Sequence, residues 1–143
     1  MRQSANLTAY ILLTLLVLWA MADRFAPYHG QSETQCRVGY VYDGDTVELL
    51  CGEKSLTARL LGFDAPETKS PKCAAEAGWG HRATLRLREL VKRPELALFR
   101  NGHDKYGRAL VVLTVGGKDV ARIMVGEGLA VAYHGEARRN WCA

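Results

Sequence analysis

Apolar and polar positions change their spacing several times along the chain, and each change marks an element. Leu7–Trp19 (LTAYILLTLLVLW) is almost unbroken apolar sequence, and no charged residue lies between Gln3 and Ala22. Arg37–Tyr42 and Thr46–Leu50 are short β-rich runs around Asp43-Gly44-Asp45, a hairpin signal. Leu56, Ala58, Leu60 and Gly62 then alternate with Thr57, Arg59 and Leu61, which predicts a third strand over Leu56–Gly62. Pro66 and Pro71 punctuate the following loop. From Ala75 to about Lys92 the spacing becomes helical. Trp79, Ala83, Leu87 and Leu90 share one face, with Arg82, Arg86 and Arg88 largely off it. Pro94 stops that helix. Leu96–Arg100 and Ala109–Val115 read as a fourth and a fifth strand, and Gly116-Gly117 turns the chain. Asp119 can cap a short helix, Val120–Glu127, which Gly128 ends. Three strands, a helix, two strands and a helix suit a small closed antiparallel barrel. A five-stranded OB-fold barrel with helices, in the α+β class, is predicted because closure removes exposed edges.

The amino-terminal run changes the picture of where the protein works. Arg2 and the free amine form a short positive region, and Ala20-Met21-Ala22 forms an A-x-A pattern before Asp23. Residues 1–22 therefore read as a secretory signal peptide. The alternative is an uncleaved signal anchor, because the uncharged run of 20 residues can just span a bilayer. Cleavage is favoured because the strongly apolar part is short. Residues 23–35 read as a linker and 36–143 as the folded domain. Export to the periplasm or the exterior is expected. Membrane contact arises only through residues 3–22 if they are retained, and a monomer is expected.

The whole chain has 143 residues, 48% of them hydrophobic and 24% charged, which excludes collagen-like, low-complexity and broadly disordered classes. A net charge of +4 admits nucleic acid as a partner without establishing it. Cys36, Cys51, Cys73 and Cys142 include no C-x-x-C pair, so a structural zinc is not expected. An even count in an exported chain points to two disulfides, for which three connectivities exist. Cys36 and Cys51 flank the predicted hairpin almost symmetrically about Gly44, which favours Cys36–Cys51 and leaves Cys73–Cys142.

Three acidic positions stand out: Asp45 in DGDT, then Asp64 and Glu67 in FDAPE. All lie at strand ends or in loops, where carboxylates can converge on a rim. Oxygen ligands without His or Cys suit a hard cation, Ca²⁺ or Mg²⁺. The blander reading of DGD is a type I′ turn, and of Asp64 a turn former. Arg59 inside a strand is either a surface arginine balanced by a nearby carboxylate or a functional group. Asp104-Lys105-Tyr106-Gly107-Arg108 gathers a second basic cluster, or is simply a solvated loop. A cation, two arginines and a carboxylate base are the parts phosphodiester hydrolysis needs. Competing chemistries fail: no Ser lies in G-x-S-x-G, and GEKS at 52–55 lacks the phosphate-loop spacing.

YDGDTVEL, ARLLGFDAPET, the helix beginning near Gly80, DKYGRALVVL and MVGEGLAVAY occur in the order found in staphylococcal (thermonuclease-type) nucleases. The resemblance covers about residues 37–135 and implies an OB-fold, Ca²⁺-dependent nuclease acting on DNA and RNA. It implies Asp45, Asp64 and the backbone carbonyl of Ala65 as calcium ligands, and Glu67 as general base. It implies Arg59 and Arg108 as the phosphate clamp, Lys105, Tyr106 and Tyr133 as substrate contacts, and Asp43 behind the ligands. In place of the family's carboxy-terminal helix stands the short EARRNWCA, so Trp141 and a Cys142 tether are expected to cover the core. Two other readings remain beside the nuclease: a non-catalytic OB module that binds nucleic acid or oligosaccharide, and an anchored envelope module serving protein contacts.

Overall fold

The computed structural model describes residues 8, 10–19, 31–32 and 34–143. Arg2, the Ala20-Met21-Ala22 pattern and most of the 23–35 linker lie outside the described residues. Residues 10–19 are helical, with Tyr10, Leu12 and Trp19 exposed. Among the described residues no helix is long and apolar enough to cross a membrane.

Nine strands and two further helices follow among the described residues. They are β1 (Gln31–Ser32), β2 (Cys36–Val41), β3 (Thr46–Cys51), β4 (Lys54–Leu60), β5 (Phe63–Asp64), α1 (Ala74–Leu90), β6 (Leu96–His103), β7 (Ala109–Val115), β8 (Lys118–Asp119), α2 (Val120–Gly126) and β9 (Val131–Ala132). The main sheet runs β1-β6-β7-β4-β3-β2, with β8 on β7, while β5 and β9 pair separately. This is an OB-type α+β architecture, as predicted, but among the described residues the curled path is open, with β1 and β2 at its ends rather than closed on each other, and one pairing is not antiparallel. β4 and β7 run parallel, through Ala58↔Ala109, Arg59↔Leu110 and Leu60↔Val111. A parallel neighbour needs a crossover, and the segment carrying α1 and β6 supplies it. Gln31–Ser32, inside the stretch read as linker, pairs with Phe99–Arg100.

Alternation along the strands builds the core. Val47 and Leu49 of β3, Ala58 and Leu60 of β4, and Val111 and Leu113 of β7 are buried together. Phe63, Leu87, Val120 and Met124 close the cluster. The same alternation turns Arg59 away from it, between two buried neighbours.

Helix α1 differs from its predicted face in one place. Gly80, Ala83, Thr84, Leu87 and Leu90 are buried, whereas Trp79 is half-buried with the Arg82 guanidinium 3.6 Å from its ring centroid. Gly80 takes the inward place because the loop passes too close for any side chain. A Cβ there would stand 2.7 Å from the Glu67 carbonyl oxygen. Cys73 caps the helix, its Sγ accepting from the Glu76 N–H at 3.4 Å, and the Glu76 carboxylate accepts from the Lys72 N–H at 2.6 Å. The disulfides are Cys36–Cys51 and Cys73–Cys142. The first joins directly opposed residues of β2 and β3. The second ties the carboxy-terminal segment to the cap of α1 and leaves Trp141 buried.

Candidate active site

The turn between β2 and β3 is organised by its own acids. The Asp45 N–H donates to Asp43 Oδ1 at 3.1 Å, and the Tyr42 N–H to the Thr46 carbonyl at 3.0 Å. Gly44 does not have positive φ, so this is not the type I′ turn that Asp-Gly usually signals. Glycine is needed here for space: a Cβ would meet those of Ala65 and Ala83 at 2.7 Å each. That close approach seats the Asp45 carboxylate against the Asp64 loop. Its Oδ2 accepts from the Ala65 N–H at 2.9 Å and its Oδ1 from the Thr46 hydroxyl at 2.9 Å.

Sheet register delivers Arg59 to the same point. Thr46 is paired with Arg59 across β3 and β4, so Asp45 lies one residue from the opposing arginine. The Arg59 guanidinium bridges Asp45 and Asp64, with Asp64 Oδ1 at 3.1 Å, and also donates to the Phe63 carbonyl at 3.3 Å. Both carboxylates are deeply buried, 3% exposed for Asp45 and 1% for Asp64. Burial pushes the Asp45 carboxyl up to about 6, an effect that Arg59 opposes and Asp43 reinforces. Arg59 thus has a structural duty beside any chemical one, since removing it takes the guanidinium from buried Asp45 and one of two from buried Asp64.

Glu67 stands at the rim of the cleft, its side chain 39% exposed. The cleft, about 670 Å³, is lined by Asp45, Arg59 and Glu67 on one side of the sequence map and by Lys105, Tyr106, Arg108 and Tyr133 on the other. Asp104 shapes the second group. Its Oδ1 accepts from the Tyr106 and Arg108 N–H groups at 2.9 and 3.0 Å, and its Oδ2 from Arg108 Nε at 2.7 Å. Desolvation raises the Asp104 carboxyl, but these bonds outweigh it and the net direction is down. The parallel β4–β7 register sets this loop beside Arg59. Tyr133 follows β9, whose pairing with β5 brings it to the site, and its N–H donates to the Gly62 carbonyl at 3.1 Å. Every side chain singled out from the sequence therefore lies in or directly beneath one cleft. Ala65 takes part through its backbone. Arg108 arrives there already paired with Asp104.

Sequence reasoning missed Arg138. Its Nε donates to Asp64 Oδ1 at 2.7 Å, a terminal nitrogen lies 2.6 Å from the same oxygen, and the other donates to Glu67 Oε1 at 2.7 Å. Those hydrogen bonds, Asp64's foremost, raise its affinity for the proton. A signal existed: Arg138 lies four residues before a cysteine expected to be tied back to Cys73, which lies six residues after Glu67.

The donor set is all oxygen, which suits a hard cation rather than zinc or copper. Among the described residues no group of three or more His, Cys, Asp or Glu side chains is gathered for a metal. A site here would therefore draw on two carboxylates plus backbone carbonyl and water. Asp45 and Asp64 are two buried carboxylates brought together on Arg59, a donor set that a hard cation fits.

Comparison with known proteins agrees with this geometry. A family model described as staphylococcal nuclease homologue matches residues 57–141. Endonuclease YncB of Bacillus subtilis (strain 168) is 43% identical over 95 residues, covering 64% of this chain and 44% of that protein. A micrococcal nuclease of Shigella flexneri is 34% identical over 127 residues, covering 82% of this chain and 66% of that protein. An uncharacterized endonuclease of Haemophilus influenzae is 31% identical over 124 residues, covering 86% and 64%. The chain thus spans less than half of YncB and just under two thirds of the other two relatives.

Proposed function

The chain belongs to the staphylococcal nuclease family, and from that premise we propose that it is a calcium-dependent endonuclease hydrolysing phosphodiester bonds of DNA and RNA. The observation that carries the reading is the convergence of Asp45, Glu67, Arg59 and Arg108 on one cleft, with Asp64 buried behind it on Arg59. Asp45, Asp64 and the Ala65 carbonyl would hold Ca²⁺. Bound there, the ion would supply Lewis-acid stabilisation of a phosphoryl oxygen. Only the family resemblance favours calcium over magnesium.

The chain's own groups divide the remaining work. Glu67, on the rim of the cleft, accepts the proton of the attacking water. Arg59 is held by Asp45 and Asp64, so its guanidinium meets phosphate without reorganising. Arg108 shares its donors between Asp104 and the phosphate. Lys105 adds positive charge and Tyr106, 73% exposed, adds a face on which a base can stack. Tyr133 closes the lining. Two disulfides support work in an oxidising compartment, so we place the protein outside the cytoplasm, periplasmic or extracellular, as a monomer.

The test is cleavage of denatured DNA and of RNA by the oxidised protein with Ca²⁺, with Mg²⁺ and with chelator. Calcium-dependent cleavage that Glu67→Gln abolishes supports the reading. Tight, salt-sensitive binding without turnover would replace it with the OB binding module.

A further inference from the structure

We infer that Arg138 belongs to the site as a tethered counter-ion, holding Asp64 and Glu67 until a divalent cation takes Asp64 from it. The inference rests on the metal-dependent reading above. Asp64 is 1% exposed, so this is not an ordinary surface pair. Two nitrogens of Arg138 reach Asp64 Oδ1, at 2.7 and 2.6 Å, while the third reaches Glu67 Oε1 at 2.7 Å. One planar guanidinium joining two carboxylates uses a fork that lysine lacks.

The segment carrying Arg138 has no helix or strand from His134 onward, so its backbone alone does not fix a side chain. Two anchors do. Trp141 is buried, and Cys142 is bonded to Cys73. Cys73 is itself the cap of α1, the helix whose Gly80 packs directly on the Glu67 backbone. Six residues from Glu67 to Cys73, the disulfide, and four from Cys142 back to Arg138 therefore close a short ring through the ion pair. Tethering of this kind makes the counter-ion intramolecular, at an effective concentration on the order of millimolar or above.

Asp64 Oδ1 already accepts from both Arg59 and Arg138. A Ca²⁺ ion at roughly 2.4 Å from the same carboxylate would face two guanidinium groups at close range. Arg59 is fixed by its strand, whereas Arg138 sits on an irregular segment with a half-exposed side chain, so Arg138 is the one that yields. A strap closed about ten times more often than open lowers apparent cation affinity about tenfold.

The test is calorimetric titration with Ca²⁺ of the oxidised full chain, beside thermal unfolding in chelator. Arg138→Gln is expected to bind Ca²⁺ about tenfold more tightly than wild type. In chelator it is expected to melt lower, and saturating Ca²⁺ is expected to remove or reverse that gap. Arg139→Gln makes the same charge change at a side chain that lies over the Trp141 ring, 4.6 Å from its centroid, and is expected to bind as wild type. Arg138→Lys, with charge but no fork, is expected to fall between. Cys73→Ser/Cys142→Ser, if folded by circular dichroism, is expected to follow Arg138→Gln. Equal or weaker Ca²⁺ binding by Arg138→Gln overturns the inference while leaving the metal-dependent reading intact. Absence of Ca²⁺ binding in every variant overturns both.

Discussion

Asp45 makes the metal-free protein less stable as pH rises. Its carboxyl is pushed from 3.8 to about 6, with burial the largest cause, and Arg59, the Ala65 N–H and Thr46 opposing it. In the unfolded chain it titrates near 3.8. Between those values the folded protein keeps a proton that the unfolded chain has released. More protons bound in the native state means stability falls with rising pH. The contribution is whole below 3.8 and gone above 6. The gap is 6 − 3.8, about two units, or ~3 kcal/mol at about 1.4 kcal/mol per unit. Asp45→Asn removes the titration yet keeps an oxygen for the Ala65 N–H. The assay is urea unfolding of both proteins in chelator from about pH 3.5 to 7. Other carboxylates are common to both, so the difference in unfolding free energy isolates this group. The variant is expected to gain about 3 kcal/mol on wild type across the range. Excess Ca²⁺ at neutral pH is expected to stabilise wild type selectively. A difference that stays flat, or moves the other way, would refute the claim that burial outweighs Arg59 at this carboxylate.

Three further outcomes are expected. Arg108→Ala should lower kcat by about 10²–10³ through loss of phosphate stabilisation, while circular dichroism shows the fold intact, since its pair with Asp104 is partly exposed. Arg59→Ala is the poorer catalytic test, because it also leaves Asp45 and Asp64 buried without their bridge. Gly44→Ala should destabilise by about 1–3 kcal/mol and weaken Ca²⁺ binding together, as its Cβ would press on Ala65 and Ala83; chemical denaturation and calorimetry read the two effects. Cys36→Ser/Cys51→Ser should cost about 3 kcal/mol for a 15-residue loop, measured by urea unfolding of the oxidised proteins.

By itself the sequence determined the five longer strands, helices α1 and α2 and the candidate chemical parts, but not the two-residue strands β1, β5, β8 and β9. Period-two alternation in Leu56–Gly62 made a strand with Arg59 facing away from Leu60, and the structure keeps both. Pro94, Asp119 and Gly128 bounded the helices through backbone restrictions that act within a few residues. DGDT, FDAPE and DKYGR stood out as candidate chemistry, each beside a plainer turn or loop reading, because few residue types can hold a hard cation or clamp a phosphate. Of the three disulfide connectivities the sequence left open, the one a local hairpin and an even count favoured is the one the structure has.

Tertiary structure decided what depends on residues far apart in sequence. The parallel β4–β7 register, which sets the DKYGR loop beside Arg59, comes from a crossover that no local pattern encodes. In the sequence Gly44 reads as a hairpin-turn residue and Gly80 only as a position near the start of a helix. In the fold they are close approaches to Ala65 and to the Glu67 backbone, visible only once the loop and α1 are packed together. Trp79 matched the helical period but yielded its inward place to Gly80 for the same reason. Arg138 was hidden longest, because its partners are about 70 residues away, 74 to Asp64 and 71 to Glu67. Periodicity and motif spacing act over one or two turns of chain, whereas a charge finds its partner through space. Only the folded barrel and the Cys73–Cys142 link bring that guanidinium to the carboxylates.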